Sequence, residues 1–145
     1  MKKYYALKHI DNSIEIMETA VDPEICLAKW HPTNRAKIIS WREVALSDIP
    51  NNREFRPAWV DSGLAIVEDM PRSRECHREK MRLVRLWKFE PFERAQRTAL
   101  VNSDMVEAQR LEAKLQELSD VTADPRIEAA ATPDELKLVW PECLK

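Results

Sequence analysis

Cys76 and His77 carry the side chains best suited to catalysis, and they stand between Glu75 and Glu79. A thiol, an imidazole and carboxylates are the groups that nucleophilic sites and zinc sites use. Adjacent residues of a helix point in different directions, however, so Cys76 and His77 do not readily converge on one ion. We therefore expect His77 to be a packed, hydrogen-bonded histidine, and we expect no catalytic residue, no metal site and no cofactor.

Four arginines form the second candidate group, at spacings of four, four and three residues. These spacings return to one side of an α-helix, and such a basic face could bind phosphates. It lacks the interleaved aromatics of a single-strand binder and the second helix of a helix-turn-helix. We favour ion pairs with the following segment, or simple exposure to solvent, because residues 89–145 contain 12 acidic and 7 basic side chains. The four are Arg74, Arg78, Arg82 and Arg85.

The chain contains five tryptophans, a large number for 145 residues. Aromatic side chains, together with arginine and methionine, are enriched in protein–protein interfaces. This composition therefore indicates a protein that binds another protein. The candidate contact residues are Trp30, Trp41, Phe55, Trp59, Trp87 and Trp140.

The composition excludes several classes of site. Gly63 is the single glycine, whereas phosphate-binding and dinucleotide-binding loops need several. The net charge of −2 gives no general attraction to nucleic acid or membrane. Three widely spaced cysteines, Cys26, Cys76 and Cys143, form no CxxC motif, and a reduced compartment is the default expectation. No apolar stretch has the length of a signal peptide or a membrane span.

The first 20 residues predict a β-hairpin. Residues 13–18 alternate between polar and apolar types, which is typical of a half-buried strand. They face the segment 3–9 across Asp11 and Asn12, a pair that favours turns.

A short helix and a third strand follow. Asp22 suits an N-cap and Pro23 suits the first helical position, which predicts a helix to about Trp30. Residues 36–46 are rich in β-branched and aromatic types and predict a strand. Residues 1–50 should therefore form a small antiparallel head with the order β-β-α-β.

A connector is predicted at 51–68, because residues 47–62 contain two prolines and little periodicity. Phe55 and Trp59 are expected to anchor it to the head. The apolar run 64–67 predicts a short fourth strand.

Residues 69–145 predict a helical arm. Asp69 is a suitable cap, Pro71 suits the first turn, and helix formers continue to about Lys88. Pro91 removes a hydrogen bond and crowds the preceding turn, which predicts a kink or a new helix near Glu90.

Each of the last helices predicted in the arm follows a cap residue or a cap cluster, as the first one does. A cap cluster at 102–104 precedes one helix, and Asp124 and Thr132 each precede a short one. We expect the class α+β, in which the head is followed by a helical hairpin or small bundle. The apolar stripe of the first of these helices consists of Ala108, Leu111, Leu115 and Leu118.

Three segments together resemble a group of small proteins encoded by tailed phages and prophages. These segments are 52–59, with Asn-Arg-Glu-Phe-Arg-Pro-Ala-Trp; 69–78, from Asp-Met-Pro to Cys-His-Arg; and 118–125, which leads to 132–136. The helical half is similar to the phage tail assembly chaperone family. Proteins of this group are often encoded among structural genes near the tail or fibre region.

The resemblance implies a phage tail or tail-fibre assembly protein that binds another virion protein, from the tail, fibre or baseplate. It would act as a chaperone in the host cytoplasm during assembly, or remain in the virion as a minor component. A homo-oligomer is compatible with the sequence, and no association with a membrane is expected. The alternative is a phage-encoded nucleic-acid-binding or regulatory protein that uses the basic face. An enzyme built on Cys76 and His77 is a third, weaker possibility.

Overall fold

The computed structural model describes residues 1–145 and has the α+β architecture that the sequence predicts. A three-stranded antiparallel sheet near the N-terminus is followed by long helices. The chain divides into two units, Met1–Ser73 and Arg74–Lys145.

The sheet of the first unit has the order β2-β1-β3, and both pairings are antiparallel. Asn12 adopts a φ of 61° in the predicted turn between β1 and β2, and the Asp11 carboxylate accepts a hydrogen bond from the Ser13 amide at 2.9 Å. Asparagine tolerates this left-handed conformation better than most residues, so the turn closes where the sequence indicates. The strands are β1 (Lys3–His9), β2 (Ile14–Thr19) and β3 (Ile38–Val44).

Each face of the sheet carries its own apolar cluster, because successive side chains of a strand point to opposite faces. Leu7 and Ile38 pack with Leu27 of helix α1 (Pro23–Leu27) on one face. On the other face, Ala6 packs in a cluster that includes Trp59. The sheet is thus covered on both sides.

The segment 31–35 differs from the prediction. The sequence predicts one helix that extends to about Trp30, but α1 ends at Leu27 and a second helix, α2 (Pro32–Arg35), begins at the proline. Pro32 occupies the first helical position, where a missing N–H costs nothing. The ring of His31 caps the helix, since its Nδ1 accepts a hydrogen bond from the Thr33 amide at 3.3 Å.

The range 51–68, predicted as a connector, lies within the first unit and contains two short paired strands. These are β4 (Trp59–Asp61) and β5 (Ile66–Glu68), joined by a turn in which Gly63 has a φ of 88°. The predicted fourth strand at 64–67 corresponds to β5, whereas β4 was not foreseen. Trp59 is 2% exposed in the sheet's core cluster, which gives the anchoring role predicted for it.

Helix α3 (Met70–Val101) runs for 32 residues without a break at Pro91. The expectation of a new helix near Glu90 is therefore wrong. Pro91 is solvent-exposed, and buried side chains stand on both sides of it, with Met81 before and Ala99 after. Packing of these flanking turns outweighs the lost hydrogen bond, since tertiary contacts commonly override local propensity.

Helix α4 (Met105–Asp120) packs against α3 as the predicted helical hairpin. The Asp104 carboxylate caps it by accepting from the Glu107 amide at 3.0 Å. Of the predicted stripe, Leu115 is half-buried, and the other three side chains are buried. The cluster shared by the two helices consists of Phe92, Ala99, Ala108 and Leu111.

Two short helices complete the second unit, α5 (Pro125–Ala129) and α6 (Pro133–Leu138). Both predicted caps are present, because Asp124 accepts from the Arg126 amide at 2.9 Å and Thr132 from the Glu135 amide at 3.2 Å. No helix combines the length and apolar character that crossing a membrane requires.

Arg42 of β3 and Asp61 of β4 join the sheet to the β4–β5 ribbon. Two guanidinium nitrogens of Arg42 donate to the Asp61 carboxylate at 2.8 and 2.6 Å. This fork geometry gives a charge-assisted, bidentate pair. Hydrogen bonding to Arg42 lowers the pKa of Asp61 below its ordinary value.

We expect Asp61→Asn to lower the free energy of unfolding by about 1 kcal/mol at neutral pH, because a neutral amide replaces a paired carboxylate. The folded-state pKa of Asp61 is depressed, so its contribution is present above the ordinary aspartate pKa of about 3.9 and is lost as the pH falls through the folded value. Urea unfolding between pH 7 and pH 2 measures this difference. Glu24→Gln, which alters the more exposed pair with Arg35, is the control. A difference that stayed constant down to pH 2 would contradict the assignment.

Candidate functional site

His77 is a packed histidine, as the sequence predicts. Its side chain is 2% exposed, and Nε2 donates a hydrogen bond to the carbonyl oxygen of Val139 at 2.7 Å. The ring also meets Trp140 edge to face, with centroids 5.8 Å apart and an interplanar angle of 71°. Through these contacts, His77 holds the C-terminal segment against α3.

The described residues contain no group of three or more His, Cys, Asp and Glu side chains that could hold a metal ion. None of the three cysteines forms a disulfide, and all three are half-buried. Burial raises the pKa of the Cys143 thiol above its usual value. A raised pKa disfavours the reactive thiolate.

Arg74 and Arg78, from the predicted basic face, bind the chain's own backbone. Arg74 donates to the carbonyl oxygens of Ile127, Glu128 and Ala130 at 3.2, 3.3 and 3.0 Å. Arg78 donates to the carbonyl of Thr122 at 3.3 Å and pairs with the Glu128 carboxylate. That pairing lowers the pKa of Glu128.

The other two arginines of the face are also engaged. Arg82 pairs with the carboxylates of Glu75 and Glu79, and Arg85 donates to the carbonyl of Ser119 at 3.0 Å. Arg85 also lies over the ring of Phe89, 5.8 Å from its centroid. All four guanidinium groups therefore have partners within the second unit. Three of them donate to backbone carbonyls, and Arg74 and Arg78 also pair with Glu128, a carboxylate of the following segment as expected.

The six aromatic candidates fall into three groups by exposure. Phe55 and Trp59 are 0% and 2% exposed, so their side chains serve the core and offer no surface to a partner, which corrects the expectation for these two. Trp30, Trp41 and Trp140 are half-buried. Trp87, on α3, is 84% exposed.

A groove of about 640 Å³ lies in the first unit beside strand β2. Tyr4 and Ile16, both half-buried, supply apolar surface from the sheet. Strand β2 is an edge strand of the three-stranded sheet. Edge strands carry backbone N–H and C=O groups that remain available for a further strand.

Arg53 and Arg56 are the unusual feature of this groove. Both side chains line it, both are exposed, and neither makes a hydrogen bond or ion pair within the chain. The acidic side chains that line the groove already have partners: Glu15 pairs with His9, Glu18 with Lys2, and Asp11 with Ser13.

The groove can therefore offer two unpaired guanidinium groups and a strand edge to an incoming segment. Guanidinium groups bind carboxylates in a fork geometry, which suits an acidic, extended peptide. Sequence reasoning missed Arg53 and Arg56 as site residues. Their spacing of three in an irregular segment gives no pattern that distinguishes them from solvated charges.

No protein-family model, curated protein or solved structure matches this chain significantly.

We expect Arg74→Gln to lower the free energy of unfolding by about 2 kcal/mol, because carbonyl oxygens at 127–130 lose a charged donor. Chemical denaturation followed by circular dichroism measures the effect. The control is Arg110→Gln, which removes an exposed guanidinium paired only with Glu107 and should leave stability nearly unchanged. Equal effects of the two substitutions would show that Arg74 does not hold the C-terminal segment.

Proposed function

We propose that this protein is a phage tail or tail-fibre assembly protein that binds a segment of another virion protein in the groove beside β2. The observation that carries this proposal is the pair Arg53 and Arg56, which line the groove without a partner in the chain. The same two residues lie in the segment 52–59, which resembles the phage proteins.

The groove suits an extended segment because its strand side is an edge. A peptide laid along β2 would pair its backbone with the unpaired groups of that strand, and alternate side chains would point to the groove and to solvent. Tyr4 and Ile16 provide apolar surface for the side chains that enter.

The charged residues of the groove indicate which kind of segment it would bind. The acidic residues of the groove are satisfied by the chain itself, whereas its two arginines are not. An acidic residue in the bound segment would therefore gain a charge-assisted hydrogen bond without displacing an existing partner. This supports a protein ligand with acidic side chains.

The alternative is a nucleic-acid-binding or regulatory protein that uses Arg74, Arg78, Arg82 and Arg85. It has less support, because phosphate binding at this face would require those guanidinium groups to give up contacts that they already make. Individual contacts of that kind hold the C-terminal segment, so their loss would weaken the fold.

The test is co-expression with each neighbouring tail or fibre protein, followed by capture and mass spectrometry. We expect one phage structural protein to be captured in fixed proportion. The double substitution Arg53→Gln and Arg56→Gln should weaken its binding by about tenfold or more, since two charged donors are lost.

The matched control removes two positive charges elsewhere, by Arg110→Gln and Lys114→Gln on α4, and should leave capture unchanged. Capture that withstood the Arg53 and Arg56 changes would place the binding site outside the groove. Failure to capture any phage structural protein would overturn the proposed function. Presence of the protein in washed virions distinguishes a component from a chaperone.

A further inference from the structure

One face of helix α3 is exposed over five helical turns and carries apolar side chains that nothing in the chain covers. Leu83 is 59% exposed, Trp87 84% and Val101 83%. Apolar side chains that cluster on an exposed helix face commonly mark an interaction surface. We define the α3 seam as Leu83, Trp87, Glu90, Arg94, Arg97 and Val101.

The residues of the α3 seam share one side of the helix. Their spacings are four, three, four, three and four, which keeps all six side chains on one face of the helix. The central pair, Glu90 and Arg94, have side chains that are 74% and 76% exposed. Arg97 is exposed and makes no hydrogen bond or ion pair within the chain.

The α3 seam is self-complementary when its order is reversed. Reversal about position 92 brings Leu83 opposite Val101, Trp87 opposite Arg97 and Glu90 opposite Arg94. These pairs are apolar with apolar, aromatic with cation, and acid with base. A twofold interface requires this property, because residue i meets residue j while j meets i.

We propose that two copies of this chain associate through antiparallel α3 helices, with the twofold axis between Glu90 and Arg94. Because of the twofold symmetry, each of the three complementary pairs occurs twice in the interface, and all six residues of each α3 seam make a contact. The ring of Trp87 receives the unpaired guanidinium of Arg97 from the other copy, a favourable cation–π arrangement.

Charge complementarity selects a second copy in this orientation. In a parallel pair in register, Glu90 would face Glu90 and Arg94 would face Arg94, and like charges in contact oppose association. In the antiparallel pair every acid faces a base. Within one chain Glu90 and Arg94 form an exposed pair four residues apart, which contributes little and is easily shared with a second copy.

Sedimentation equilibrium over a range of concentrations tests the dimer. We expect the wild-type protein to approach twice its chain mass of 17.0 kDa. Glu90→Arg and Arg94→Glu should each weaken dimerisation by about tenfold or more, because like charges then meet at the axis. The two changes combined should restore the dimer.

Two controls separate the interface from general effects of charge and fold. Glu112→Arg makes the same change of charge as Glu90→Arg, at an exposed position of α4, and should leave the dimer intact. Circular dichroism should show that each variant keeps its helix content. A monomer at all concentrations, or a dimer that tolerates both single charge changes, would overturn the proposal.

Cysteine cross-linking tests the orientation. Positions 83 and 101 lie about 27 Å apart along one helix, too far for a disulfide within a chain. The double variant Leu83→Cys and Val101→Cys should form a covalent dimer under mild oxidation, with the linked peptides identified by mass spectrometry. Cross-linking of Leu83→Cys alone to its own copy would indicate a parallel pair and would overturn the antiparallel arrangement.

The dimer is independent of the partner proposed for the groove. The α3 seam belongs to the second unit, whereas Arg53 and Arg56 belong to the first. Capture of a phage protein by monomeric Glu90→Arg would leave the proposed function standing. A dimer that captured no phage protein would leave the present inference standing.

Discussion

The second unit depends on guanidinium groups of α3 that hold the backbone of the segment following α4. Helices α5 and α6 have five and six residues, too few to be stable alone. Their terminal carbonyls need donors, and Arg74 supplies three hydrogen bonds to the end of α5. His77 adds one at Val139, and buried Ile127 and Leu136 supply the apolar contacts. Arginine suits this task because its planar fork carries several donors in fixed directions.

This use of arginine divides the charged residues into two classes. Those that bind carbonyls or carboxylates within the chain are committed to the fold, and Arg74 and Arg42 are examples. Arg53, Arg56 and Arg97 have no such partner, so they stay available to another molecule. Two of them line one groove and the third lies on the α3 seam.

Features governed by neighbouring residues were predictable from the sequence. The β1–β2 turn and the caps at Asp104, Asp124 and Thr132 follow from contacts within four residues, which composition and spacing encode directly. Pro91 and Pro32 show the limit. Pro32 begins a helix with a local cap from His31, whereas Pro91 lies in a continuous helix with buried side chains in the turns on both sides of it. Packing of the flanking turns decides the second case. Such packing has no local signature.

The candidate site was less predictable, for a physical reason. The spacing of the four arginines at 74–85 correctly puts them in one helix, but Arg74, Arg78 and Arg85 donate to carbonyls, which every residue possesses. Whether an arginine finds such an acceptor depends on the fold alone. Arg53 and Arg56 stand out only when the partners of every arginine in the folded chain are known. If both proposals hold, the dimer carries two grooves, and a partner that presents its acidic segment in several copies would be bound with greater avidity than one groove provides.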